Sequence, residues 1–109
     1  MKKTYQITTY IPQPQCEEVK EAMFKAGAGQ IDNYEACSWQ VLGEGQFRPV
    51  EGSSPFLGQR DKLEKVLEYK VEMFCVADKL EAVIEAMKKA HPYEVPAYGV
   101  VELIDILRT

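Results

Sequence analysis

Residues 63–92, LEKVLEYKVEMFCVADKLEAVIEAMKKAHP, decide the fold. Leu67, Tyr69, Val71, Met73 and Cys75 alternate with Glu68, Lys70 and Glu72. A period of two puts the apolar set on one face of a strand and the charged set toward water, so residues 63–76 predict a half-buried strand. The period then changes. Asp78 followed three residues later by Glu81 reads as a capping box, and Leu80, Val83, Ile84 and Met87 recur at helical spacing. Lys88, Lys89 and His91 suit the negative end of that helix, and Pro92 stops it.

Toward the amino terminus, Tyr5, Ile7, Thr9 and Ile11 alternate with Gln6 and Thr8, which predicts a first strand over residues 4–11. Pro12 and Pro14 end it, and Pro14 suits a first helical turn, where the missing N–H would be unpaired anyway. Cys16, Val19, Met23 and Ala26 continue at helical spacing until Gly27 supplies the stop. Residues 36–42 read as a second strand with Cys37, Trp39 and Val41 on one side and Ser38 and Gln40 on the other. Beyond Pro96, a last strand is expected over residues 98–106.

The order strand, helix, strand, strand, helix, strand is the ferredoxin-like βαββαβ plan, an α+β sandwich. It implies a four-stranded antiparallel sheet with two helices on one face, a single domain over residues 1–109. Between its second and third strands lies a long arm, residues 43–58, whose glycines and prolines predict irregular structure. Phe47, Phe56 and Leu57 are too apolar for an arm that waves in water. Self-association through the edge strand and the arm accounts for them, with Trp39, Phe47, Pro49 and Phe56 as the contact residues. An arm folded back over its own sheet is the alternative.

A chain of 109 residues buries about 65% of the surface its unfolded form exposes, enough for a core without staples. Apolar residues at 46% and charged residues at 28% are globular values with no run long enough for a membrane span, so a soluble chain is expected. The net charge of -4, with signs interspersed, disfavours nucleic acid as a partner. Cys16, Cys37 and Cys75 are odd in number and lack CxxC spacing, and the N-terminal residues show no secretory pattern. A reducing, cytoplasmic location is expected.

Two segments, GAGQIDNYEACSWQVLGEGQFRPVEGSSPFLG at residues 27–58 and AHPYEVPAY at residues 90–98, resemble the inserted domain of the Nif-three-like proteins, also called type-two GTP cyclohydrolase I homologues. The resemblance implies the insert as a stand-alone chain, similar to the CutA and PII-type regulators, and a trimer, with a dimer as the other assembly. It implies no two-metal core, since that site belongs to a separate part of the larger proteins and is rich in histidine. Val95 stands where the family usually has a second glutamate and Gly99 where it usually has aspartate.

Candidate site residues are few. His91 is the single histidine, and with Glu94 it could hold a divalent metal, or with Tyr93 a polar ligand; it could equally cap its helix. Cys37 is a candidate soft ligand or thiol that also fits as a small packing residue, and Asn33 lies in the turn ahead of it. The glycines do not follow a strand and open a helix, so they form no phosphate-binding fingerprint. No serine, histidine and acid arrangement for acyl transfer can be drawn. The expected function is a small oligomeric binding or regulatory module for a metal or small ligand. The alternatives are a metal-dependent hydrolase with a reduced site on His91, Glu94 and Cys37, and a structural docking module.

Overall fold

The computed structural model describes residues 3–104. Strand β1 (Thr4–Pro12) leads through a 3-10 turn (Gln13–Gln15) into helix α1 (Cys16–Ala26), followed by β2 (Trp39–Phe47), β3 (Glu64–Val76), α2 (Ala77–Ala90) and β4 (Tyr98–Leu103). The sheet order is β2-β3-β1-β4, and every pairing is antiparallel. This is the expected ferredoxin-like arrangement.

Register explains where the core sits. Ile7 pairs with Met73, Thr9 with Val71 and Ile11 with Tyr69, and directly opposed residues share a face of the sheet. That face meets Val19 and Met23 of α1 and Val83 and Met87 of α2, all fully buried. Thr9 is also fully buried, and its hydroxyl donates to the Ala97 carbonyl at 3.0 Å, so the polar group is satisfied and the chain ahead of β4 is pinned to β1.

Two local expectations are corrected, and a third lies partly outside the described residues. Strand β2 runs over residues 39–47, not 36–42, so Cys37 lies before it and Gly43 to Phe47 belong to the sheet. The ladder to β3 supplies what glycine lacks in propensity, and Gly45 leaves room for Glu68: a Cβ would fall 2.6 Å from the Glu68 side-chain carboxyl carbon, which would have to move aside. At the start of α2, Val76 holds the cap position without a side-chain capping bond, and Asp78 lies inside the first turn. The helix begins earlier than expected because β3 runs straight into it, and the Ala77 N–H donates to the Lys3 carbonyl at 2.9 Å. Strand β4 ends at Leu103; the expected continuation to Ile106 includes residues that lie outside the described ones.

The 3-10 turn containing Pro14 delays α1 to Cys16, with Glu17 and Glu18 in its first turn. Gly27 stops the helix as expected, with φ of 121° and its N–H bonded to the Phe24 carbonyl at 3.0 Å. Glu68 faces Pro12, the last residue of β1, while β2 and β3 stay paired as far as Phe47 and Glu64. The hairpin therefore projects past the two-layer core and gives the molecule its extents of 52 × 24 × 23 Å.

Met87 lies where both helices and β1 meet, within van der Waals reach of Thr9. Met87→Ala should cost about 2–5 kcal/mol, the range for emptying a buried methionine site. Urea denaturation followed by circular dichroism checks this, and a loss under about 1 kcal/mol would show that the site collapses or was never well packed.

Candidate functional site

Residues 48–63 are a folded loop. The Asp61 N–H donates to the Pro49 carbonyl at 2.6 Å, the Ser53 N–H to the Val50 carbonyl at 3.1 Å, and the Ser53 hydroxyl to that same carbonyl at 2.7 Å. Gly52 and Gly58 take the positive φ angles that these reversals need. The loop turns back on its own chain. The Ser54 N–H donates to Glu94 Oε2 at 2.9 Å, Pro49 is buried, and the Phe47 ring meets Tyr93 edge-on at 5.9 Å. Phe47 and Pro49 are thus packed within the chain, against the segment that follows α2. Phe56, 50% exposed, and Trp39, 56% exposed, are left facing outward.

Between the loop and the segment after α2 lies a cavity of about 400 Å³. Phe47, Pro49, Pro55, Phe56, Leu57 and Tyr10 supply apolar wall, and Glu68, Tyr93 and Glu94 bring polar groups to it. The Tyr93 hydroxyl donates to Glu68 Oε2 at 2.6 Å. Burial, then the hydrogen bond to Glu68 and the negative charges of Glu68 and Glu64, raise the Tyr93 phenol well above its ordinary range. Tyr93 is therefore a fixed hydrogen-bond donor at neutral pH and not an acid or base.

His91 does not open onto this cavity. Its ring is buried, Nε2 lies 2.8 Å from the Tyr10 carbonyl and Nδ1 accepts the Tyr93 N–H at 3.1 Å. Nε2 is thus the protonated nitrogen, and both ring positions are committed to the backbone. Both members of the expected His91–Glu94 metal pair have protein partners. A metal at Nδ1 would have to displace the Tyr93 N–H, and Glu94 is already tied to Ser54. The described residues hold no cluster of three or more histidine, cysteine, aspartate or glutamate side chains suited to a metal. The role His91 plays is positional: its ring, 5.0 Å from that of Tyr93, seats the tyrosine over the cavity.

Tyr93 and Glu94 are brought together as expected; Asn33 and Cys37 are not. Asn33 is exposed in a turn closed by reciprocal Ile31 and Tyr34 backbone bonds, and Cys37 is held by the bond from its N–H to the Gly29 carbonyl. Neither lines the cavity. Glu68, Gln46 and Tyr10 were missed. Glu68 reads in sequence as one of three water-facing charges on a strand, and only the register with β2 shows that it stands over Gly45 beside Tyr93.

Burial holds the His91 pKa below its usual 6.5, opposed by the Tyr10 and Glu68 interactions. A folded-state value below the unfolded one means that the unfolded chain binds the proton first as pH falls. His91 thus contributes stability above pH 6.5 that is lost as pH drops through its folded value. Proton NMR of the single imidazole should give a midpoint below 6.5, with the urea midpoint falling over the same interval; a midpoint at or above 6.5 would contradict the buried, neutral ring.

No protein-family model matches the chain. Among curated proteins, it is 40% identical over 99 residues to the GTP cyclohydrolase 1 type 2 homolog of Halalkalibacterium halodurans, covering 91% of this chain and 27% of the relative. The Mycobacterium leprae protein of the same name is 44% identical over 95 residues, 87% of this chain and 25% of the relative. The chain thus spans about a quarter of the length of these relatives. Among solved structures, a Bacillus cereus protein related to NIF3 superposes with a TM-score of 0.81 at 36% identity, over 95% of this chain and 26% of that one. CutA from Synechococcus elongatus superposes with a TM-score of 0.66 at 16% identity, over 94% and 78% respectively, a likeness of fold alone. The chain belongs with the Nif3-like GTP cyclohydrolase 1 type 2 homologs, as the counterpart of one segment of those proteins, built on a fold it shares with CutA.

Proposed function

We propose that this chain is a small homo-oligomeric binding module that takes up a small ligand between the folded loop and the segment from His91 to Ala97. The observation that carries this reading is the cavity of about 400 Å³, apolar in its walls with a few convergent polar groups. That size and that mixture are typical of small-ligand sites, which run from about 300 to 1,000 Å³. The reaction named in the relatives belongs to proteins of which this chain spans 25–27%, and a shared fold does not transfer chemistry. Uptake and regulation, rather than turnover, fit a site whose tyrosine is locked as a donor and whose histidine is locked in the backbone.

Assembly is supported by the face of the sheet opposite the helices. Cross-strand pairing puts Trp39 beside Glu72, Val41 beside Lys70, and Gln6 between Phe74 and Val101 on that face. Trp39, Val41, Phe74 and Val101 are 56%, 44%, 40% and 60% exposed. A sheet face with this much uncovered apolar surface is an association surface. It moves the expected oligomer contact from the arm to the open sheet face, with β2 as its edge. A trimer, as the Nif-three-like resemblance implies, closes such a face without leaving an open end, and a dimer is the smaller solution.

Two outcomes follow. Sedimentation velocity at about ten micromolar should show an oligomer that dissociates in the Trp39→Glu, Val41→Glu double variant; a wild-type monomer would end the assembly half of the reading. In amide NMR, 2-phenylethanol should shift Gln46, Phe47, residues 53–57 and residues 93–97, and shifts scattered elsewhere or absent at millimolar probe would end the binding half.

A further inference from the structure

The polar chemistry of the cavity is one-sided. Among the described residues its lining includes two acidic side chains, Glu68 and Glu94, and no lysine, arginine or histidine. The other polar groups have largely spent their protons inside the protein. Tyr93 donates to Glu68, Ser53 donates to the Val50 carbonyl, and the Ser54 N–H donates to Glu94. Apart from the Gln46 side-chain amide, which can donate as well as accept, what faces an incoming molecule is therefore chiefly acceptor capacity, and all of the formal charge is negative. Each carboxylate has two oxygens and about four acceptor positions, and one oxygen of each is used by the contact just named.

From this we infer that the ligand is an organic cation, an amine carried on an aromatic or aliphatic body, with its charged head between Glu68 and Glu94 and its body against Phe47, Phe56 and Leu57. The inference rests on the binding reading above. An anion such as a carboxylate or phosphate would meet two like charges and no basic partner, and would lose its water without replacement. A neutral apolar molecule would fill the walls but leave the second oxygen of each acid without a donor. A primary ammonium brings three donors and a positive charge, which matches the acceptor set in both number and sign. The Phe47 and Tyr93 rings add faces on which a cation is favoured.

Gly45 is part of the device. The Glu68 carboxyl lies over the glycine backbone, in space that any other residue's Cβ would occupy. That close approach, together with the Tyr93 hydroxyl, fixes the acid at the cavity wall. A side chain at position 45 would push the carboxylate away.

Three probes of one shape provide the test: phenethylamine, 2-phenylethanol and phenylacetate, titrated separately against the full chain and followed by amide NMR. Phenethylamine should bind at least about tenfold more tightly than 2-phenylethanol, as one charge-assisted contact allows, and phenylacetate most weakly. Glu68→Gln and Glu94→Gln should each reduce amine affinity by about five- to tenfold and leave 2-phenylethanol within twofold. Equal binding of amine and alcohol, or tighter binding of phenylacetate, at the same cavity residues would overturn the cation assignment while leaving the binding reading intact. If no probe shifts those residues, both are overturned. Loss of amine preference in Gly45→Ala, with the fold retained by circular dichroism, would support the placement of Glu68, and unchanged preference would overturn it.

Discussion

The structure depends on β3, one of the two inner strands of the sheet. Its thirteen residues serve two partners, and five of them, Glu68 to Glu72, pair on both sides. From Glu68 to Val76 it is the partner of β1, and Val71, Met73 and Cys75 join Ile7 and Ile11 under the helices. From Glu64 to Glu72 it is the partner of β2. The overlap of the two ladders sets how far the hairpin overshoots the core. Since side chains alternate along a strand, a slip of one residue in either pairing would turn Glu68 from the cavity to the helix side and Met73 from the core to water. Core and candidate site are held by the same register.

The overshoot explains why a cavity exists here. Beyond Glu68, β3 has no β1 beside it, so the hairpin offers a wall without the layer that would cover it. The loop of residues 48–63 covers one side, and the segment leaving α2 covers another. His91 joins these parts because its two ring nitrogens reach Tyr10 in β1 and Tyr93 in the segment. Buried and neutral, it acts as a bracket between backbone groups. A histidine at a helix end next to an acid invites a metal reading, and here both ring nitrogens have backbone partners.

The open face of the sheet presents the other unsatisfied requirement. The helices cover one side, and the loop and the segment after α2 gather at the hairpin end, which leaves Trp39, Val41, Phe74 and Val101 uncovered. Kinship with a segment of longer proteins and a fold shared with CutA are both compatible with a module that completes its burial against other copies or other parts. The cavity and the open face are separate features of one sheet: Glu68 and Tyr10 belong to the first, Trp39 and Phe74 to the second.

By itself the sequence determined the element order, the second helix and the apolar faces of β1 and β3, since these depend on local periodicity and on proline and glycine stops. It also pointed to Tyr93 and Glu94, through a segment distinctive enough to resemble a family. Tertiary structure decided the rest. Gly43 and Gly45 lie in a strand because β3 pairs with them, against their local preference. Phe47 and Pro49 pack inward because the loop reverses onto Tyr93 and Glu94. Asp78 lies inside the first turn of α2 because β3 runs straight into the helix at Ala77. Glu68 is part of the candidate site because Gly45, diagonal to it on the next strand, has no side chain to occupy the space its carboxylate takes. Each of these is a contact between positions far apart in the chain, and periodicity within one segment holds no record of what that segment will meet.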